Sequence, residues 1–185
     1  MSLMANAIAE SGQHCMNYAR QLLQDIPAPQ FARFARLGDT VVASNHPAFI
    51  FGHLSLYGSR VVNELGGDAS AVMPTDRYTE LFSPAAECVD DPDGTIYPPM
   101  DEITERFFAS YTAAVDALRQ ADDATLSAVN PNERGRAKFA TMGSMHAFYL
   151  GGHLMIHLGQ LSAWRRMQGL GQASKPAFAA GSPKS

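Results

Sequence analysis

The sequence predicts an all-α fold, a four-helix bundle with a long connection between its second and third helices. Three observations carry that expectation. Apolar residues recur at spacings near three and four through several stretches. Proline and glycine stand where those stretches would begin or stop. Strict apolar–polar alternation of the kind a half-buried strand shows is missing. A chain of 185 residues is long enough to bury a sizeable core, and one domain over residues 5–170 is expected.

The first helix is expected from about Ala5 to Asp25, with Ile8, Cys15, Met16, Ala19, Leu22, Leu23 and Ile26 supplying the apolar face. Pro27 and Pro29 stop it, since neither can donate to a continuing ladder. The first three residues of "MSLM" are set aside as an appended leader. The second helix should open at Asn45 as its cap, with Pro47 in the first turn, where a missing N–H costs nothing. It then runs through "HPAFIFGHLSLYGSRVVNELGG" to a Gly66-Gly67 stop.

About thirty residues rich in Pro, Asp and Gly follow, including "VDDPDGTIYPP". That is too long for a tight turn and suits a crossover, with short helical turns around Tyr78 to Phe82. The third helix begins after Pro98-Pro99, where Asp101 and Glu102 complement the helix dipole. It continues through "MDEITERFFASYTAAVDALRQADD". The fourth and longest runs from about Lys138 to Gln168, ending at Gly169 and Gly171. From Gly171 the chain shows small residues and prolines without periodicity, so residues 171–185 read as a disordered tail.

Composition narrows the function. Hydrophobic residues make up 46% and charged residues 17%, with a net charge of -4, which gives no electrostatic footprint for nucleic acid. Basic residues gather mildly at Arg134, Arg136 and Lys138 and at Arg165 and Arg166, and these read as solvated helix surface. Cys15 and Cys88 are too few and too far apart for a disulfide framework or a zinc knuckle. No apolar run reaches the roughly 18 residues of a membrane span, and no signal peptide opens the chain. The expectation is a cytoplasmic protein that engages neither nucleic acid nor membrane.

The chemistry sits in the histidines. In "GHLMIHLGQ" His153 and His157 stand four apart, about 40° around a helix and roughly 6 Å along it, so both rings can approach one point. Taken alone, the pair reads more plainly as two hydrogen-bonded or partly exposed histidines. His53, in "FGHLSLY" on the second helix, changes that balance. A facing imidazole lets three nitrogens from two helices meet at a point, the way bundle cores hold metals. Gly52 and Gly152 precede His53 and His153, and glycine is unfavourable inside a helix without a packing reason. Close approach of the two helices is the expected reason.

Neutral imidazole suits Zn, Ni and Fe, and three such ligands leave a coordination position open, the mark of a catalytic rather than a closed structural site. An ion there would polarise a substrate oxygen or sulfur. Leu154 occupies the place of the glutamate in a His-Glu-x-x-His helix, which argues against a metallopeptidase. No Glu is followed by His at the third position, so a carboxylate-bridged di-iron site is excluded as well.

The remaining residues rank below the trio. His146, seven before His153, should share its face but lie roughly 10 Å away. His46 suits a helix-capping or mouth position, and His14 a surface one. Gln160 could hold the His157 ring through a hydrogen bond or simply be solvated. Tyr57 and Tyr149 each lie four residues from a histidine, within reach of a bound substrate, although packing is the commoner role for a buried tyrosine.

"NHPAFIFGHLSLY" together with "GGHLMIHLGQLSAWRRMQGLG" resembles the DinB/YfiT-like superfamily, and the "DDPDGTIYPP" connection and overall length fit as well. The likeness is strongest on the second and fourth helices and takes in most of residues 5–170. It implies a four-helix bundle carrying a divalent metal on three histidines, matched by motif to His53, His153 and His157, often in a homodimer. Some relatives are S-transferases or isomerases that use low-molecular-weight thiols, so the resemblance implies a small-molecule substrate and a thiol of that class.

Two functions follow from this reading. One is a divalent-metal-dependent enzyme, a thiol-dependent S-transferase or a related hydrolase or isomerase. The other is a non-catalytic bundle, stabilised by its metal, that serves as a binding or stress-response module. No side chain is assigned a catalytic role beyond metal ligation.

Overall fold

The three-and-four spacing of the first segment becomes one buried face of α1 (Leu3–Leu23), where Ala5, Ile8, Ala9, Gly12, Cys15, Met16, Ala19 and Leu22 turn inward. The computed structural model describes residues 2–172. Two of the three residues set aside as a leader take part in this helix: Leu3 begins it, and Ser2 caps it by accepting the Ala5 amide at 2.9 Å. Most of the tail, from residue 173, lies outside the described residues. The helical bundle expected from the sequence is the architecture, with α1, α2 (Pro47–Glu64), α4 (Met100–Gln120) and a final span over 142–167 as its long members.

Helix α2 is central. Every residue from Pro47 to Ser55 is buried, so its first turns are apolar all round rather than on one stripe. Its N-cap is His46, not Asn45. The His46 Nδ1 accepts the Phe49 amide at 3.2 Å, and Pro47 follows in the first turn. On its other side α2 meets α4 at Gly58, where a Cβ would stand 2.5 Å from the Ser110 backbone. The closest helix–helix approach marked by a glycine is therefore here, not at Gly52 or Gly152. A Gly58→Ala chain should lose about 1–3 kcal/mol to overpacking. Urea unfolding checks this as a lower midpoint with an unchanged slope.

Three elements went unforeseen. A short antiparallel hairpin, β1 (Ala35–Leu37) and β2 (Thr40–Val42), pairs Ala35 with Val42, Arg36 with Val41 and Leu37 with Thr40. Its turn is Gly38-Asp39, with Gly38 at a φ of 61°, a dipeptide that signals a tight hairpin when short strands flank it. A small helix, α5 (Asp123–Ser127), is capped by Asp122, so the third predicted helix ends at Gln120 and the chain turns.

The third difference matters most for the site. The last helix opens at Met142, capped by Thr141, rather than at Lys138. It is also interrupted. Helix α6 (Met142–Ala147) passes through a π turn at Phe148–Gly152 before α7 (His153–Met167) resumes regular geometry. The His153 amide bonds back to the Phe148 carbonyl, five residues earlier. Such a turn spends an extra residue, so residues before and after it no longer share the face that uniform helical spacing would give them. His146, which precedes the turn, faces the C-terminal end of α2 at Glu64. It is fully buried, with its Nδ1 3.9 Å from Glu64 Oε2, and makes no ring contact with the three-histidine cluster.

Residues 65–99 carry the expected helical turn as α3 (Asp76–Phe82), capped by Thr75. They do not hang free. Val89 O accepts a hydrogen bond from His46 Nε2 at 2.9 Å, and Tyr97 sets its ring edge-on to His46 at 4.9 Å. The Asp91 carboxylate accepts the amides of Thr95, Ile96 and Tyr97 at 3.0–3.1 Å, satisfying a turn that has no ladder of its own.

At the far end of the bundle Arg165 is buried, not solvated. Its Nη1 donates to the carbonyls of Leu22 (2.8 Å) and Gln24, which closes the C-terminus of α1 where cationic donors are favoured. No helix among the described residues is long and apolar enough to cross a membrane.

Candidate metal centre

Helix α2 presents His53 and α7 presents His153 and His157, and the three rings meet between the helices. The His53 ring lies 5.4 Å from His153 and 5.0 Å from His157, and the latter two are 4.8 Å apart. One nitrogen from each ring lies within 4.8 Å of the others. The His153 and His157 Nε2 atoms are 3.2 Å apart. Two ligands about 2.05 Å from one tetrahedral ion stand about 3.3 Å apart, so this pair already has the spacing of shared ligands. His53 and His153 are buried, and His157 is half-buried.

Hydrogen bonds fix the tautomers. His53 Nδ1 donates to the Phe82 carbonyl at 2.8 Å, which leaves Nε2 as a free lone pair. His157 Nδ1 donates to Gln160 Oε1 at 3.0 Å, with the same result. Of the two readings of Gln160, the hydrogen-bonded one is observed. Asn45 Nδ2 donates to that same oxygen at 3.2 Å, so the residue expected to cap α2 instead orients the amide that holds His157. His153 differs from both: its Nδ1 is buried and has no partner.

The cluster is built to stay neutral. Burial lowers all three imidazoles from their ordinary value. For His53 the Phe82 bond pulls the other way. His153 falls to about 3, with the positive forms of His157 and His53 adding to the effect of burial. In His157 burial and His53 outweigh the bond to Gln160. Neutral imidazoles offer lone pairs, the state a metal requires. The donor set therefore fits a divalent ion, and no carboxylate or thiol joins it among the described residues.

Aromatic rings wall the cluster. Phe49 stacks on His53 at 6.1 Å, Phe148 on His153 at 5.6 Å, and Tyr57 stands edge-on to His153 at 4.4 Å. The glycines beside the histidines make room for such rings. A Cβ on Gly52 would meet the Phe82 ring at 2.4 Å, and one on Gly152 the Phe148 ring at 3.1 Å. His14 is exposed, as expected. Sequence reasoning missed the part played by Phe82, whose contribution is a main-chain oxygen and leaves no side-chain signal. It also missed the bond from Asn45 to Gln160, because Asn45 matched the cap of the second helix.

Neither a curated protein nor a solved structure matches the chain. The profile of the DinB superfamily matches residues 13–161, a span that includes all three histidines, Gln160 and the whole connection between α2 and α4. Helical bundle, histidine cluster and matched span agree, and the chain belongs to the DinB superfamily.

Proposed function

We propose that this chain is a divalent-metal-dependent enzyme in which His53, His153 and His157 are the protein ligands of Zn, Ni or Fe. The reaction is a thiol-dependent S-transfer or a related hydrolysis or isomerisation. A low-molecular-weight thiol is among its small-molecule partners, and the working unit is a cytoplasmic homodimer. The observation that carries this reading is the cluster itself: three neutral imidazoles, two with their outer nitrogens already engaged, and no fourth protein ligand among the described residues.

A divalent ion in such a site supplies Lewis acidity toward a substrate oxygen or sulfur. The chain's own residues do the positioning. The Phe82 carbonyl and Gln160 keep the ligand nitrogens of His53 and His157 turned inward, and Asn45 fixes the sense of the Gln160 amide. Phe49 and Phe148 limit ring rotation and shield the donor atoms from water.

Elemental analysis of protein purified without chelator, beside a thiol-transfer screen, tests the proposal. About one equivalent of metal per chain and turnover that chelator removes are expected. Absence of bound metal after reloading would sink it. Metal with a large chelator-sensitive melting shift, and no turnover on any thiol or hydrolysable substrate, would favour the non-catalytic, metal-stabilised module instead.

A further inference from the structure

Tyr57, Tyr149 and Arg60 stand together beside the histidines. Tyr57 is one helical turn beyond His53, with its ring 5.2 Å from His53 and 4.4 Å from His153. Tyr149 lies 5.2 Å from Tyr57, ring to ring, and the Arg60 guanidinium carbon sits 5.3 Å over the Tyr149 ring. All three side chains are half-buried. Arg60 is anchored through Nε, which donates to Glu64 Oε1 at 2.7 Å. The other Glu64 oxygen is buried toward His146.

What remains open is a set of donors. Neither phenol hydroxyl nor either terminal guanidinium nitrogen has a hydrogen-bond partner among the described residues. A phenol can also accept, but a guanidinium only donates, and its planar edge matches a carboxylate through two parallel N–H···O bonds. The flanking rings lower the local dielectric and strengthen such a pair relative to one in open water.

We propose that Arg60, with the hydroxyls of Tyr57 and Tyr149, forms a carboxylate subsite of the three-histidine site. Its ligand is a small carboxylic acid whose reactive end lies at the histidines. The inference rests on the metal-centre reading for that reactive end, whereas the carboxylate contact itself requires no metal.

Benzoate and its uncharged isostere benzamide, titrated onto the full chain with and without metal, test this by NMR. The ring signals of Tyr57 and Tyr149 and the Arg60 Nε–H resonance report binding. Benzoate should bind about tenfold more tightly than benzamide. Arg60→Met should erase that preference, Arg60→Lys should restore part of it, and Tyr149→Phe should weaken it. Equal binding of the two probes to the unaltered chain would overturn the subsite. So would a preference that survives Arg60→Met in protein with an unchanged melting temperature, or a stronger response to inorganic phosphate than to benzoate. Metal content measured on the same samples separates the two claims. A chain that takes up no metal on reloading yet still prefers benzoate retains the subsite and loses the metal centre, while a loaded chain without the preference loses only the subsite.

Discussion

Replacing His153 with alanine should strip the chain of its metal. Protein purified without chelator is expected to carry less than about a tenth of the unaltered chain's metal, because only His53 and His157 would remain, one from each helix. Their own orientations should survive, since the bonds to Phe82 and Gln160 do not pass through residue 153. Without metal the variant should fold nearly as well as the parent. It loses ring packing against Tyr57 and Phe148, but it also sheds a buried nitrogen that has no partner. Chelator should therefore lower the melting temperature of the parent and leave the variant unmoved. A ligand present at a thousand times its dissociation constant adds about 4 kcal/mol to the parent alone. Gln160→Ala provides the graded comparison, keeping metal with affinity reduced about 10–100-fold. Unchanged metal content in the His153→Ala protein would remove that residue from the ligand set.

Acid should unfold the metal-free protein early. His46, His53, His146, His153 and His157 all have folded-state values below the ordinary 6.5, each with burial as the first cause. The unfolded chain then takes up protons that the folded one refuses, so stability is whole above about pH 6.5 and drains away as pH falls. The window extends to about 4 for His146 and about 3 for His153. His146 alone, fully buried, accounts for about 3 kcal/mol across it. Glu64 does little to relieve this at 3.9 Å, because its charge is spent on Arg60 at 2.7 Å and the guanidinium itself opposes a charged His146. Denaturant unfolding of chelated protein between pH 7 and 4.5 should show the decline, with a shallower slope for His146→Phe. A flat profile over that range would mean that these imidazoles are not held neutral by the fold.

The cluster was legible because its signal is short-range. A four-residue spacing on one helix needs only helical geometry, and His53 needed only a facing helix. What escaped notice depended on geometry that spacing does not encode. The π turn at Phe148–Gly152 leaves a continuous helical pattern on paper, because one extra residue in a turn changes no residue type. Asn45 matched a cap by residue type, but His46 could cap equally well with its Nδ1, which freed Asn45 for Gln160. The hairpin carried a readable turn in Gly38-Asp39, but strands of three residues are too short for alternation to register. Arg165 shows the opposite failure: a residue type that belongs on the surface was assigned there, and only the tertiary fold supplies the α1 carbonyls that bury it.

His53 of α2 and His46, its N-cap, both donate to main-chain oxygens of the segment joining α2 to α4, at Phe82 and Val89. Substituting either acceptor residue leaves its oxygen in place, so point changes there cannot silence these bonds; a shift of the segment's path can. Insertions or deletions between α2 and α4 thus become a means of retuning the imidazoles without touching them.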